Sequence, residues 1–109
     1  VKILFLADVF GVPGRRAVEG HLGTLRERYD ADLAIVNGEN AADGAGITAK
    51  LADRLLAAGA DVVTLGNHTY RRGGIASYLA TSERVIRPAN SGSEAPGQGM
   101  TVVEARNGV

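Results

Sequence analysis

Apolar residues in this chain gather in short runs, and each run ends in a polar cluster. Residues 2 to 7, carrying Ile3, Leu4, Phe5, Leu6 and Ala7, are apolar almost throughout, the pattern of a strand covered on both faces rather than a half-exposed one. Similar runs cover 32 to 37 and 61 to 65. Between the first two, Val18, Leu22, Leu25 and Tyr29 form one stripe and predict a helix over 14–28, preceded by Gly11-Val12-Pro13-Gly14 as turn chemistry. Ala41 to Gly46 has two glycines and no periodicity, so it reads as a loop. Thr48 is placed to cap a helix whose Leu51, Ala52, Leu55 and Leu56 share a face, and Gly59 stops it.

The result is a β-α-β-α-β series whose connections are too long for hairpins, which predicts parallel pairing and right-handed crossovers. Beyond it the pattern predicts a break at Gly73-Gly74, a short helix over 75–80, a strand over 84–87, a loop over 88–99 and a further strand over 101–106. The fold class is α/β, a parallel sheet with flanking helices. Asn107-Gly108 is a two-residue hairpin signal, yet only Val109 follows it. Together with a first residue that is not methionine, this leads us to expect residues 1–109 to be a single, incomplete domain.

Composition narrows the chemistry. The 109 residues hold 12 Lys and Arg against 12 Asp and Glu, so no global field draws in nucleic acid or acidic lipid, although the balance does not exclude RNA. With no cysteine there is no disulfide framework, thiolate metal site or cysteine nucleophile. Any metal must be held by oxygen and nitrogen. No apolar stretch approaches the roughly 20 residues of a membrane span, and the expected location is cytoplasmic. A free sheet edge would favour self-association into a homo-oligomer.

The polar clusters lie where an open parallel sheet presents side chains, at the carboxyl ends of its strands. Asp8 closes the first run, Gly38-Glu39-Asn40 the second and Gly66-Asn67-His68 the third. Asp8 and Glu39 are hard oxygen donors, Asn40 and Asn67 offer carbonyl oxygens, and His68 is a nitrogen ligand or a proton donor, a set suited to a divalent ion. Each also has a structural reading: Asp8 as a turn former, the asparagines as left-handed turn residues, His68 as a satisfied polar side chain. Glu39 gains nothing as a turn former. His21, beside the apolar stripe, reads as a solvated or packing residue. Arg15-Arg16 and Arg71-Arg72 read as solvated faces, with Arg71-Arg72 near enough to His68 to touch an anionic substrate.

Four segments in order carry a resemblance: Leu4 to Gly11, Val36 to Ala42, Thr64 to Thr69, and Arg87-Pro88-Ala89-Asn90. They resemble the bacterial YmdB-type branch of the calcineurin-like metallophosphoesterases over nearly the whole chain. The resemblance implies the N-terminal half of that family's α/β sandwich and a dinuclear iron or manganese site. It implies hydrolysis of phosphodiesters, with 2′,3′-cyclic nucleotides as substrates. By the family's pattern Asp8 and Asn40 bind the first metal, Glu39 bridges both, Asn67 binds the second, and His68 protonates the leaving oxygen.

The chain departs from the family in three places. Phe10 stands where the wider superfamily has a histidine, a residue this branch also lacks; Tyr70-Arg71 replaces the usual Trp-Asp; and nothing corresponds to the histidine ligands of the family's second half. The competing reading is a non-catalytic α/β binding or scaffold domain that keeps the fold and lacks the metals. A dinucleotide-binding half-domain has little support, because no Gly-x-Gly-x-x-Gly follows the first strand.

Overall fold

Alternation within the apolar runs decides which residues turn inward. The computed structural model describes residues 1–109 and contains strands β1 (Ile3–Leu6), β2 (Leu33–Asn37), β3 (Val62–Thr64) and β4 (Val85–Ile86). Helices α1 (Gly11–Tyr29), α2 (Ala49–Ala57) and α3 (Ile75–Thr81) connect them. All pairings are parallel and the spatial order is β1-β2-β3-β4, with Leu4 opposite Ala34, Val36 opposite Val63, and Val63 opposite Val85. These inward positions share one core with Val18 and Leu22 of α1, Ala52 and Leu55 of α2, and Ile75 and Leu79 of α3.

The sequential strand order has a consequence for the other face. Right-handed crossovers that always step the same way leave every helix on one side. Ile3 and Phe5, on the opposite face of β1, stay 58% and 53% exposed. The expectation that β1 is covered on both faces is therefore corrected: its apolar outer face has no layer over it within residues 1–109.

Local signals set the helix ends. Thr48 caps α2 as expected, its hydroxyl accepting from the Leu51 amide at 3.2 Å. Helix α1 begins at Gly11 instead of 14, with Gly14 N–H donating to Phe10 O at 3.1 Å. Pro13 is tolerated in the first turn because its position has no intrahelical acceptor to serve. At the other end Asp30 takes a left-handed conformation and its amide donates to Arg26 O and Glu27 O.

The strand expected over 101–106 does not form. The segment joins no ladder: the Thr101 hydroxyl donates to Glu83 O at 2.6 Å and Arg106 N–H to Asp32 O at 3.0 Å, while Val102 is 89% exposed. Consecutive β-branched residues such as Thr101, Val102 and Val103 favour a strand only where an edge is aligned to receive them. The Asn107-Gly108 turn does form, with Ala105 N–H donating to Val109 O at 2.8 Å and Gly108 at φ +86°. No helix is long and apolar enough to cross a membrane.

Candidate functional site

Backbone bonds join the strand exits before any side chain is considered. Val9 N–H donates to Asn37 O at 3.0 Å, Gly11 N–H to Asn40 O at 3.1 Å, and Gly38 N–H to Thr64 O at 2.9 Å. Asp8 sits at φ +50°, which turns its side chain out of the line of β1. Such a left-handed conformation is one that Asp tolerates better than most residues. Gly38 lets the core close tightly here: a Cβ there would lie 3.1 Å from Ile47 and Val63 side chains and 3.2 Å from Leu55, and those side chains would have to shift by a few tenths of an ångström.

Three of the five expected residues are directly linked. Asn40 Nδ2 donates to Asp8 Oδ1 at 2.6 Å, and Asn40 Oδ1 lies 2.7 Å from His68 Nδ1. An ionised carboxylate only accepts, so Asn40 must turn its N–H toward Asp8 and its oxygen toward His68. That assignment puts a proton on His68 Nδ1 and leaves Nε2 as the nitrogen able to exchange one with a ligand.

Glu39 completes the group differently. Its Oε2 is buried with no hydrogen-bond partner, and a Cβ on Gly66 would run into its carboxylate. Gly66 thus opens the space that Glu39 fills. Asn67, the fifth residue, is exposed and lines a cavity of about 390 Å³ together with Gly66, Thr69, Tyr70, Pro88, Asn90 and Ser91, and it makes no bond to the other four.

Two arginines hold this arrangement, and sequence reasoning gave them other roles. Arg72 donates through Nε to Ala45 O at 2.8 Å and through Nη2 to Ala42 O at 2.7 Å, and Arg15 Nη1 donates to Ala41 O at 2.6 Å. The 41–45 loop beside Glu39 and Asn40 is therefore clamped from both sides. Gly46 lets the loops meet, since a Cβ there would come within 2.9 Å of Arg71 Cβ and 3.3 Å of His68 O. A solvated Arg15 and a substrate-facing Arg72 are corrected accordingly. A carbonyl partner leaves no signature in the sequence, so only the position of Arg72 four residues after His68 could have hinted at it.

A family model described as YmdB-like protein matches residues 4–109. The chain belongs to the YmdB-like family. It is 41% identical over 105 residues to a 2′,3′-cyclic-nucleotide 2′-phosphodiesterase of Bacillus subtilis (strain 168), a match that covers 96% of this chain and 40% of that protein. Among solved structures it is similar to a novel phosphatase from Mycoplasma pneumoniae, with a TM-score of 0.83 and 35% identity over 91% of this chain and 37% of that one. A hypothetical protein from Thermus thermophilus gives a TM-score of 0.81 at 44% identity, covering 91% of this chain and 38% of the other. This YmdB-like chain thus spans about two fifths of the relatives it matches.

The donor set fits part of a cation site. A buried carboxylate oxygen without a partner is costly unless something positive meets it, and Glu39 Oε2 is such an atom. Asn40 Oδ1 keeps a second lone pair besides the one facing His68. Within this YmdB-like chain, however, no three His, Asp or Glu side chains converge closely enough to hold an ion by themselves.

Proposed function

We propose that residues 1–109 form one wall of a metal-dependent phosphodiester hydrolase site whose substrates are 2′,3′-cyclic nucleotides. The observation that carries this is the partnerless, buried Oε2 of Glu39 beside the Asp8–Asn40–His68 chain. Asp8 and Asn40 would hold one ion, Asn67 a second, and Glu39 both; iron or manganese suits oxygen donors supplemented by imidazoles from outside this chain. When bound, such ions supply Lewis acidity and offset the charge of the phosphate.

The chain's own residues account for the proton. As water's oxygen bonds to phosphorus, the bond from phosphorus to one ribose oxygen breaks. His68 Nε2 delivers a proton to that departing oxygen, and the proton released by the attacking water restores the imidazolium. Asn40 holds the ring by Nδ1, and Asp8 holds Asn40. The name of the Bacillus subtilis relative supports the substrate class.

General acid catalysis of this kind contributes about 10²–10⁴-fold. In the full-length protein, His68→Ala should lower turnover of a 2′,3′-cyclic nucleotide by that order and lower p-nitrophenyl phosphodiester turnover far less, because p-nitrophenolate leaves without a proton. Equal losses on both substrates would remove His68 from the acid role. The scaffold reading draws on the incomplete donor group, and metal analysis separates the two: bound transition ions favour the hydrolase, and none at saturating metal favours the scaffold.

A further inference from the structure

The cavity that begins at Asn67 lies outside the proton chemistry, and its walls have a character of their own. Tyr70 forms one side, 41% exposed, with its hydroxyl donating to Pro96 O at 2.6 Å. The ring is thereby pinned at its far end. The Pro88–Ser91 turn, closed by Ser91 N–H donating to Pro88 O at 3.2 Å, also borders the cavity and brings Asn90 to it, a residue that is exposed and makes no hydrogen bond within the chain.

Arg87 keeps this turn in place. It is only 8% exposed and faces no carboxylate; instead Nε donates to Ala95 O at 3.3 Å, Nη1 to Pro88 O at 3.0 Å, and its amide to Gln98 O at 2.9 Å. Both walls are therefore fixed by bonds to backbone carbonyls of one loop, 88–98. A cavity whose walls are held before a ligand arrives loses little entropy on binding.

We infer that this cavity is a nucleoside subsite: the Tyr70 ring stacks on the base and the Asn90 carboxamide reads the base edge, while the phosphate lies toward Asn67 and His68. The inference rests on the hydrolase reading above and adds where the organic part of the substrate sits. A cavity of about 390 Å³ falls within the range typical of small-molecule sites. A pinned aromatic ring offers a π-face, and a carboxamide offers one donor side and one acceptor side, the two features that base recognition uses. An inorganic phosphate or simple alkyl diester would use neither.

The test compares two substrates that share the strained five-membered cyclic diester, 2′,3′-cyclic AMP and glycerol 1,2-cyclic phosphate, the second lacking ribose and base. Hydrolysis by the full-length, metal-loaded protein is followed by ³¹P NMR, and the quantity read is the ratio of kcat/KM for the nucleotide to that for the glycerol diester. Tyr70→Ala should lower the ratio roughly five- to a hundredfold, the span of base–aromatic stacking, mainly through KM. Tyr70→Phe, which keeps the ring, should recover most of it. Asn90→Ala, at an exposed position with no bond to lose, should lower the ratio and alter the order of preference among adenine, guanine, cytosine and uracil nucleotides.

An unchanged ratio in Tyr70→Ala and Asn90→Ala overturns the subsite while hydrolysis of both substrates by the wild type leaves the hydrolase reading standing. A wild type that hydrolyses neither diester overturns both. Where Tyr70→Ala does not fold, the outcome for Asn90→Ala decides.

Discussion

Replacing Arg72 with alanine tests whether two guanidinium bonds hold the site's two loops together. The side chain donates to Ala42 O at 2.7 Å and Ala45 O at 2.8 Å, and hydrogen bonds from charged groups contribute about 1.5–3 kcal/mol each. Ala42 is buried and Ala45 only half-buried, so after truncation water reaches the second carbonyl more readily than the first. We therefore place the loss at about 3–4 kcal/mol, the lower end of the summed bonds. Arg72→Lys, with one ammonium in place of a planar fork, should restore about half, since it cannot span both carbonyls in the same geometry. Urea unfolding of the full-length protein should show a lower midpoint with an unchanged slope. Hydrogen exchange should show faster exchange at Ala42 N–H, which donates to Gly46 O at 2.8 Å inside the clamped loop. A loss below about 0.5 kcal/mol, the level of an ordinary surface change, with unaltered exchange at Ala42 would refute the clamp.

Other consequences concern separate parts of the molecule. Gly66→Ala places a Cβ against the Glu39 carboxylate without any backbone penalty, so metal affinity should fall while the fold persists; tight metal binding by the variant would show that Glu39 is not confined as described. Tyr78 has its hydroxyl pushed up to about 12 from 10.0, by burial first and by donation to Asp53 second, so its contribution to stability is complete below about pH 10 and is lost as the pH climbs toward 12. Phenolate absorbance should show Asp53→Asn titrating Tyr78 lower than the wild type yet still above 10, because burial is the larger cause; no change would exclude the Asp53 bond. The outer sheet face predicts that residues 1–109 expressed alone self-associate and that Phe5→Thr weakens this in sedimentation velocity; a monomer at all concentrations would contradict it.

Much of the fold could be read from residue patterns because its signals are local. Thr48 and Leu51 are three residues apart, and the stripe of Val18 and Leu22 states the helix that buries it. The parallel order followed from connection lengths. What failed depended on partners outside the segment: Thr101 to Arg106 reads as a strand but bonds to Glu83, Asp30 and Asp32 and to no strand edge, and β1 is apolar on a face that no element within the chain covers. Gly11 and Pro13 punctuate the chain, and a turn and the first turn of a helix look alike at that level. Within the site, strand exits located Asp8, Glu39, Asn40, Asn67 and His68. The Asp8–Asn40–His68 bonding order and the arginine clamp needed coordinates, because side chain to carbonyl contacts carry no sequence periodicity.

Whether Glu39 faces a cation needed for phosphodiester hydrolysis is decided by measuring metal content and 2′,3′-cyclic nucleotide turnover together on the full-length protein, wild type against Glu39→Gln. The wild type should hold two transition ions per chain and lose turnover on chelation, and the variant, whose amide has no charge to offset two dications, should lose both metal and activity. Wild-type turnover that survives complete metal removal, or a Glu39→Gln protein that retains both ions and full rate, would show that Glu39 faces no such cation.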